Sequence, residues 1–168
     1  KNNALEALSA KGIKTYAIGK IGDIYAGFQF TESRHTKSNN DGMATLQTLL
    51  EEKTEGLFFV NLVEFDSKYG HRRDAKGYFE AIKQFDRSLD DLLKHLTDED
   101  FLIITADHGC DPLAHGSDHT REKVPFILYA KALEAYHGYK GERDSFSVIG
   151  EVLIALFSND RESLLGLL

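Results

Sequence analysis

The chain has 168 residues, of which 42% are hydrophobic and 28% are charged. This composition is typical of one ordinary globular domain and excludes a disordered polar chain. The formal net charge of −7 argues against a nucleic acid or an anionic membrane surface as partner, because like charges repel at long range. The apolar runs are far shorter than the ~20 residues that a membrane helix needs, so the sequence predicts no membrane span.

Hydrophobic periodicity predicts an alternation of helices and strands. In chain order we predict a helix over 3–11, a strand over 13–18, a long loop over 22–40 with a short extended piece in it, a helix over 41–53 capped by Asp41, a strand over 57–63, a helix over 74–96, strands over 101–105 and 124–129, and a last helix over 146–157. This order predicts an α/β fold in which a mostly parallel sheet has helices on both faces. Ligands of such folds bind beyond the carboxyl ends of the strands.

The single cysteine, Cys110, cannot form an internal disulfide and is typical of a reducing compartment, so we expect a cytoplasmic protein. The chain begins at Lys1, has Met43 as its one methionine, and shows no signal peptide. We therefore expect these residues to be a portion of a longer protein.

Five carboxylate and imidazole side chains lie at or just beyond the ends of two predicted strands. They are Asp66, His71, Asp107, His108 and His119. Carboxylate oxygen and imidazole nitrogen together suit borderline divalent cations such as Zn²⁺ and Mn²⁺. Five donors exceed the needs of one tetrahedral ion and do not fill two sites. The sequence therefore indicates a two-metal site that takes further ligands from outside this chain.

Each of these motifs has a second interpretation when taken alone. An aspartate and a histidine five residues apart are common in surface loops, and buried Asp–His pairs also anchor loops by hydrogen bonds. Among the neighbouring residues, Asp118 is the better candidate for a partner that orients a ligand histidine. Cys110 is interpreted as a small buried side chain, with capture of a soft metal by its thiolate as the alternative. The basic pair 72–73 either attracts phosphate or forms ion pairs with Asp74 or Glu80.

The sequence Thr-Ala-Asp-His-Gly at 105–109, with Gly-Ser-Asp-His-Thr-Arg-Glu at 116–122, resembles the metal-binding signature of the alkaline phosphatase superfamily. Four further segments are most similar to the bacterial phosphopentomutase family within it. They are residues 20–25, 37–43, 61–66 and 69–74. The resemblance extends over nearly the whole chain, and its motifs occur in the same order.

The resemblance implies a mutase that interconverts ribose 1-phosphate and ribose 5-phosphate, and their 2-deoxy counterparts, through a phosphothreonine enzyme. It implies two Mn²⁺ ions, with Zn²⁺ or another divalent cation as the alternative. Asp66, His71 and His119 would hold one ion, and Asp107 and His108 would contribute to the other. The implied partners are small pentose phosphates, with a sugar bisphosphate as the candidate activator.

The resemblance also implies that residues 1–168 are the C-terminal part of a single metal-dependent catalytic core. The nucleophilic threonine, one ligand aspartate and the cap domain would lie in the N-terminal part, so no catalytic nucleophile is expected in this chain. Lys20 would contact the substrate phosphate, and its alternative interpretation is a solvated lysine at a strand end.

Two other functions stay open. The first is a cofactor-independent phosphoglycerate mutase or a metal-dependent phosphatase of the same superfamily. The second belongs to a different class, a non-catalytic metal-binding module, which the missing threonine and aspartate favour for the isolated chain.

Overall fold

The computed structural model describes residues 3–52 and 55–168, apart from the side chains of 134–136. Its largest sheet has three parallel strands. The central strand β1 (Thr15–Ile18) lies between β2 (Glu32–Arg34) and β3 (Leu57–Val60). All four residues of β1 are buried, so both faces of this strand are covered. The α/β class and the parallel sheet are thereby confirmed.

Strands β4 (Leu102–Thr105) and β5 (Phe126–Tyr129) form a separate two-stranded sheet. They run antiparallel, unlike the other strands, and Leu102 lies opposite Tyr129. Parallel neighbours need a crossover connection, usually a helix, and the connection over 106–125 contains no helix. The chain instead folds back on itself between β4 and β5.

The other regular elements of the described residues are helices. They are α1 (Ala4–Ala10), α2 (Ile21–Ile24), α3 (Asn39–Glu51), a π-helix (Phe65–Gly70), α4 (Ala75–His95), a 3-10 helix (Lys131–Tyr136), α5 (Ser147–Phe157) and α6 (Arg161–Leu167). Among the described residues, none of the helices is long and apolar enough to cross a bilayer.

Three details of the predicted elements were wrong. The loop predicted over 22–40 contains most of α2, which was not expected, whereas β2 corresponds to the short extended piece that was expected there. Ser38, not Asp41, caps α3: the Ser38 hydroxyl accepts from the Asp41 N–H at 3.1 Å, so the helix begins two residues earlier than predicted. Helix α6 follows the helix that was predicted to be last. The predicted end of α3 at residue 53 lies outside the described residues.

Two apolar clusters form the core, and β4 lies between them. The first joins the parallel sheet to α3 and α4, and its buried members are Tyr16, Ile18, Met43, Leu46, Leu49, Leu92 and Leu96. The second lies around α5 and α6, with Val148, Val152, Ala155 and Leu164 buried. Leu102 of β4 packs on the first cluster and its neighbour Ile103 on the second, because successive strand residues point to opposite faces. This packing places the ends of β3 and β4 near each other.

Candidate metal centre

A π-helical turn brings Asp66 and His71 together after β3. The N–H of His71 donates to the carbonyl of Asp66, five residues earlier, at 3.0 Å. Residues five apart return to nearly the same side of the wider π-helix, whereas in an α-helix they diverge. Asp66 Oδ1 accordingly lies 3.3 Å from His71 Nε2. The spacing that was weak evidence in the sequence is the spacing of one π-helical turn.

The fold-back between β4 and β5 brings His108 beside His119. Gly109 and Thr120 form an antiparallel bridge beyond the end of the two strands, and the Thr120 N–H donates to the Gly109 carbonyl at 3.0 Å. The two imidazole rings on either side of this bridge stack with their centroids 3.7 Å apart. His108 and His119, which are eleven residues apart in the sequence, are therefore in direct contact.

Asp66, His71 and His119 meet at a triangle of donor atoms. Asp66 Oδ1 is 3.3 Å from His71 Nε2 and 3.3 Å from His119 Nε2, and the two nitrogens are 3.1 Å apart. Ligand atoms about 2.1 Å from one tetrahedral ion lie about 3.4 Å from each other. The triangle therefore has the dimensions of three ligands on one divalent cation.

Protonation of His71 strengthens the case for a cation. Its Nδ1 lies 2.5 Å from the Ser117 carbonyl, and because a carbonyl only accepts, Nδ1 carries the proton. In the tautomer with its proton on Nδ1, Nε2 offers a lone pair on the side of Asp66 Oδ1, which is itself buried without a hydrogen-bond partner among the described residues. A cation bound between the two atoms would satisfy both of them. The residues present thus fit a divalent metal ion.

Asp107 and His108, the second predicted pair, are less compact. Asp107 Oδ2 lies 3.5 Å from His108 Nε2, and the Asp107 side chain is 76% exposed. The His108 nitrogen also lies within 4.8 Å of donor atoms of Asp66 and His119. Four of the five predicted ligands are therefore in one cluster, with Asp107 at its margin, and the assignment of each to a particular ion stays a prediction.

Lys20 lies at the same sheet edge but outside the cluster. It follows Gly19, which has a φ of 82° and approaches the chain after β3 so closely that a Cβ would lie 2.5 Å from the Asn61 carbonyl oxygen. The Lys20 side chain is exposed, and within the described ranges it has no hydrogen bond or ion pair with any predicted ligand. Its contact with phosphate stays a prediction.

The sequence favoured a small buried side chain at Cys110 over a metal-binding thiolate, and the structure places its sulfur beside the candidate ligands. The thiol is half-buried, and its sulfur lies within 4.8 Å of ligand atoms of Asp66 and His71. Burial raises the pKa of the Cys110 thiol, and the neighbouring Asp66 carboxylate raises that pKa further. The residue therefore contributes a neutral thiol at neutral pH. Its position directly after the Asp-His-Gly motif is the one signal in the sequence that could have indicated this.

Two interpretations of neighbouring residues are corrected. The group that orients His71 is the Ser117 carbonyl, not the Asp118 carboxylate. In the described part of the chain, Arg73 pairs with neither Asp74 nor Glu80 and donates instead to backbone carbonyls of the loop before His119.

Two hydrogen bonds join Glu64, the residue before the π-helix, to Asn39 at the start of α3. The Asn39 N–H donates to Glu64 Oε2 at 2.7 Å, and the Glu64 N–H donates to Asn39 Oδ1 at 3.0 Å. Burial raises the pKa of Glu64, but the hydrogen bond from Asn39 and the Lys68 ammonium outweigh burial and leave that pKa below its ordinary value. The start of α3 and the segment that carries Asp66 are thereby joined.

This anchor makes stability depend on pH. Since the folded-state pKa of Glu64 is below the unfolded value of 4.5, the carboxylate stabilises the fold above that pH. This contribution of Glu64 to stability disappears as the pH falls through the pKa of Glu64 in the folded protein. We expect Glu64→Gln to lower the free energy of unfolding at neutral pH, and the two proteins to converge in acid. Denaturant unfolding across the range measures this, with the exposed Glu80→Gln as control. A difference in unfolding free energy between wild type and Glu64→Gln that stays constant with pH would contradict this role of Glu64.

Comparison with known proteins identifies the family. Residues 5–161 match the model of the Metalloenzyme superfamily, which is most of the chain. The chain belongs to the Metalloenzyme superfamily. This membership agrees with the donor cluster built by the π-helix and the β4–β5 fold-back.

Curated relatives of this metalloenzyme chain include three phosphopentomutases. The chain is 45% identical over 156 residues to that of Alkaliphilus metalliredigens, 43% over 154 to that of Kosmotoga olearia, and 44% over 156 to that of Clostridium novyi. These alignments cover 93%, 92% and 93% of the chain but 40%, 39% and 40% of the relatives. The chain thus spans about two-fifths of the length of the curated relatives it matches, and the predicted resemblance is confirmed.

Proposed function

We propose that this chain is part of a phosphopentomutase that interconverts ribose 1-phosphate and ribose 5-phosphate, or their 2-deoxy counterparts. The observation that carries the proposal is the triangle of Asp66, His71 and His119 donor atoms, with sides of 3.1–3.3 Å. The similarity to three phosphopentomutases supplies the reaction class. Its place as the C-terminal part of one catalytic core is supported by the share of the relatives that it covers.

Each predicted residue then has a chemical task. Asp66, His71 and His119 would hold one Mn²⁺, and Asp107 and His108 would contribute to a second. Divalent cations at these positions neutralise the charge that a phosphoryl group develops in transfer.

Other groups of the protein would support the metal ions and the substrate. The Ser117 carbonyl keeps the proton of His71 on Nδ1, so that the lone pair of Nε2 stays available to a metal ion. Lys20 would attract the substrate phosphate from the same sheet edge.

The phosphorylated threonine, a further ligand aspartate and the cap would lie outside these 168 residues. A sugar bisphosphate is the proposed activator, and a cytoplasmic location fits the single cysteine.

An assay of the full-length protein tests this function. We expect ribose 1-phosphate to be converted to ribose 5-phosphate without release of inorganic phosphate. Turnover of 3-phosphoglycerate alone would indicate the glycerate mutase, and release of phosphate would indicate a phosphatase. Binding of Mn²⁺ with no turnover of any of these substrates would support a non-catalytic module.

The isolated 168 residues provide a second test. We expect no mutase activity from them, because the proposed nucleophile and part of one metal site lie elsewhere. The measurement is the same assay with this chain alone, beside the full-length protein at equal concentration. Substantial turnover by the isolated chain would contradict the proposed division of the site.

A further inference from the structure

Arg73 connects the π-helix segment to the loop that leads to His119. Its guanidinium donates to three backbone carbonyls of that loop. The acceptors are Gly116 O at 2.5 Å from Nε, Asp111 O at 2.5 Å from Nη1, and Asp118 O at 2.8 Å from Nη2. A carbonyl offers no charge to pair with, so these bonds position the loop backbone rather than balance an acidic side chain.

The backbone of Arg73 adopts a conformation that is unfavourable for a residue with a side chain. Arg73 has a φ of 56°, in the left-handed region that favours glycine, and its N–H donates to the Gly70 carbonyl at 3.0 Å. An arginine at such a position indicates that the contacts of its side chain outweigh the unfavourable backbone. Two residues earlier, His71 Nδ1 contacts the Ser117 carbonyl of the same loop.

We propose that Arg73 is a positioning residue that sets the distance between His71 and His119. The inference rests on the proposed function, because it needs a divalent cation bound by these histidines and Asp66. The π-helix presents Asp66 and His71, whereas the fold-back presents His119, and the guanidinium fork ties the two segments together. A planar fork with five N–H donors reaches divergent carbonyls in a way that a lysine ammonium does not.

The test measures Mn²⁺ alone, in full-length protein stripped of metal by a chelator. We expect Arg73→Ala and Arg73→Lys to bind Mn²⁺ about 10–100-fold more weakly than wild type, as is typical when a residue that orients ligands is lost. The second readout is the visible absorption of the Co²⁺-substituted protein, which reports ligand geometry. We expect its bands to change in both variants at temperatures where circular dichroism shows them folded.

Arg72→Ala is the matched control, since Arg72 is an exposed neighbour whose removal changes the charge equally. Its Mn²⁺ affinity and Co²⁺ spectrum should stay those of wild type. Arg73→Gly separates side chain from backbone, because glycine relieves the left-handed strain while removing the guanidinium. We expect Arg73→Gly to fold and still to bind Mn²⁺ weakly.

Wild-type affinity and an unchanged Co²⁺ spectrum in Arg73→Gly would overturn the proposal. The same loss of affinity in Arg72→Ala would also overturn it, because charge alone would then explain the effect. A wild-type protein that binds no Mn²⁺ would overturn both this inference and the metal centre. A wild-type protein that binds Mn²⁺ but lacks mutase turnover would overturn only the proposed function.

Discussion

Asp66→Asn is expected to cost the full-length protein one of its two proposed divalent cations. Asp66 Oδ1 lies 3.3 Å from both His71 Nε2 and His119 Nε2, so one carboxylate oxygen would share a metal ion with both histidines. The asparagine keeps the shape and removes the negative charge. We expect Mn²⁺ affinity at this position to fall by more than ~100-fold, beyond the usual effect of residues that only orient a ligand. Titration calorimetry of the chelator-treated protein measures both affinity and the number of ions.

Asp118→Asn is the matched control for this experiment. Asp118 is exposed and adjacent to His119, and its backbone carbonyl, not its carboxylate, accepts from Arg73. The variant makes the same change of charge, and we expect it to bind as many ions as wild type and with the same affinity. If Asp66→Asn also retained two tightly bound ions, the close contact between Asp66 and the histidines would have to be explained by protonation instead of metal.

Gly70→Ala is expected to destabilise the protein by about 1–3 kcal/mol, the usual cost of forcing a methyl group into a packed site. Gly70 is buried at the end of the π-helix, and a Cβ there would lie 2.4 Å from Cys110 Sγ and 3.0 Å from the Phe65 carbonyl oxygen. The Cys110 sulfur belongs to a side chain that can rotate, whereas the Phe65 carbonyl belongs to the backbone, so relieving that contact moves the turn that presents His71. We therefore expect weaker Mn²⁺ binding together with a lower denaturant midpoint.

A double variant tests the cause of this effect. Cys110→Ala removes the sulfur, so Gly70→Ala should cost less in that background than in wild type, although the contact with Phe65 persists. Gly27→Ala is the control, because a Cβ at Gly27 meets no atom within 4 Å. Equal costs of Gly70→Ala with and without the sulfur would show that Cys110 does not limit the space at this turn.

Much of the site could be read from residue types and strand ends. Asp66, His71, Asp107, His108 and His119 were all predicted from their positions after two apolar strands. Residue type identifies a candidate ligand because carboxylate oxygen and imidazole nitrogen suit divalent cations, and five such side chains at one sheet edge favour a metal site over separate loop contacts. It does not report distance, so the marginal position of Asp107 was not predictable.

Short elements show where local patterns fail. β2 consists of Glu32, Ser33 and Arg34, and no apolar alternation marks it as a strand. It exists because β1 offers it a pairing edge, with Tyr16 opposite Glu32. Helix α6 begins at a good local signal, since Asp160 accepts from the Ser163 N–H at 3.0 Å, but seven residues are too few for periodicity to show.

The sequence by itself determined the α/β class, the long elements and the donor groups, because hydrophobic periodicity and ligand chemistry are local properties. Only the tertiary structure decided that a π-helical turn unites Asp66 with His71, that β5 returns antiparallel and brings His119 against His108, and that Arg73 joins the two segments. These features depend on contacts between residues 11 or more positions apart in sequence or on a rare backbone form. Neither leaves a periodic trace in the chain.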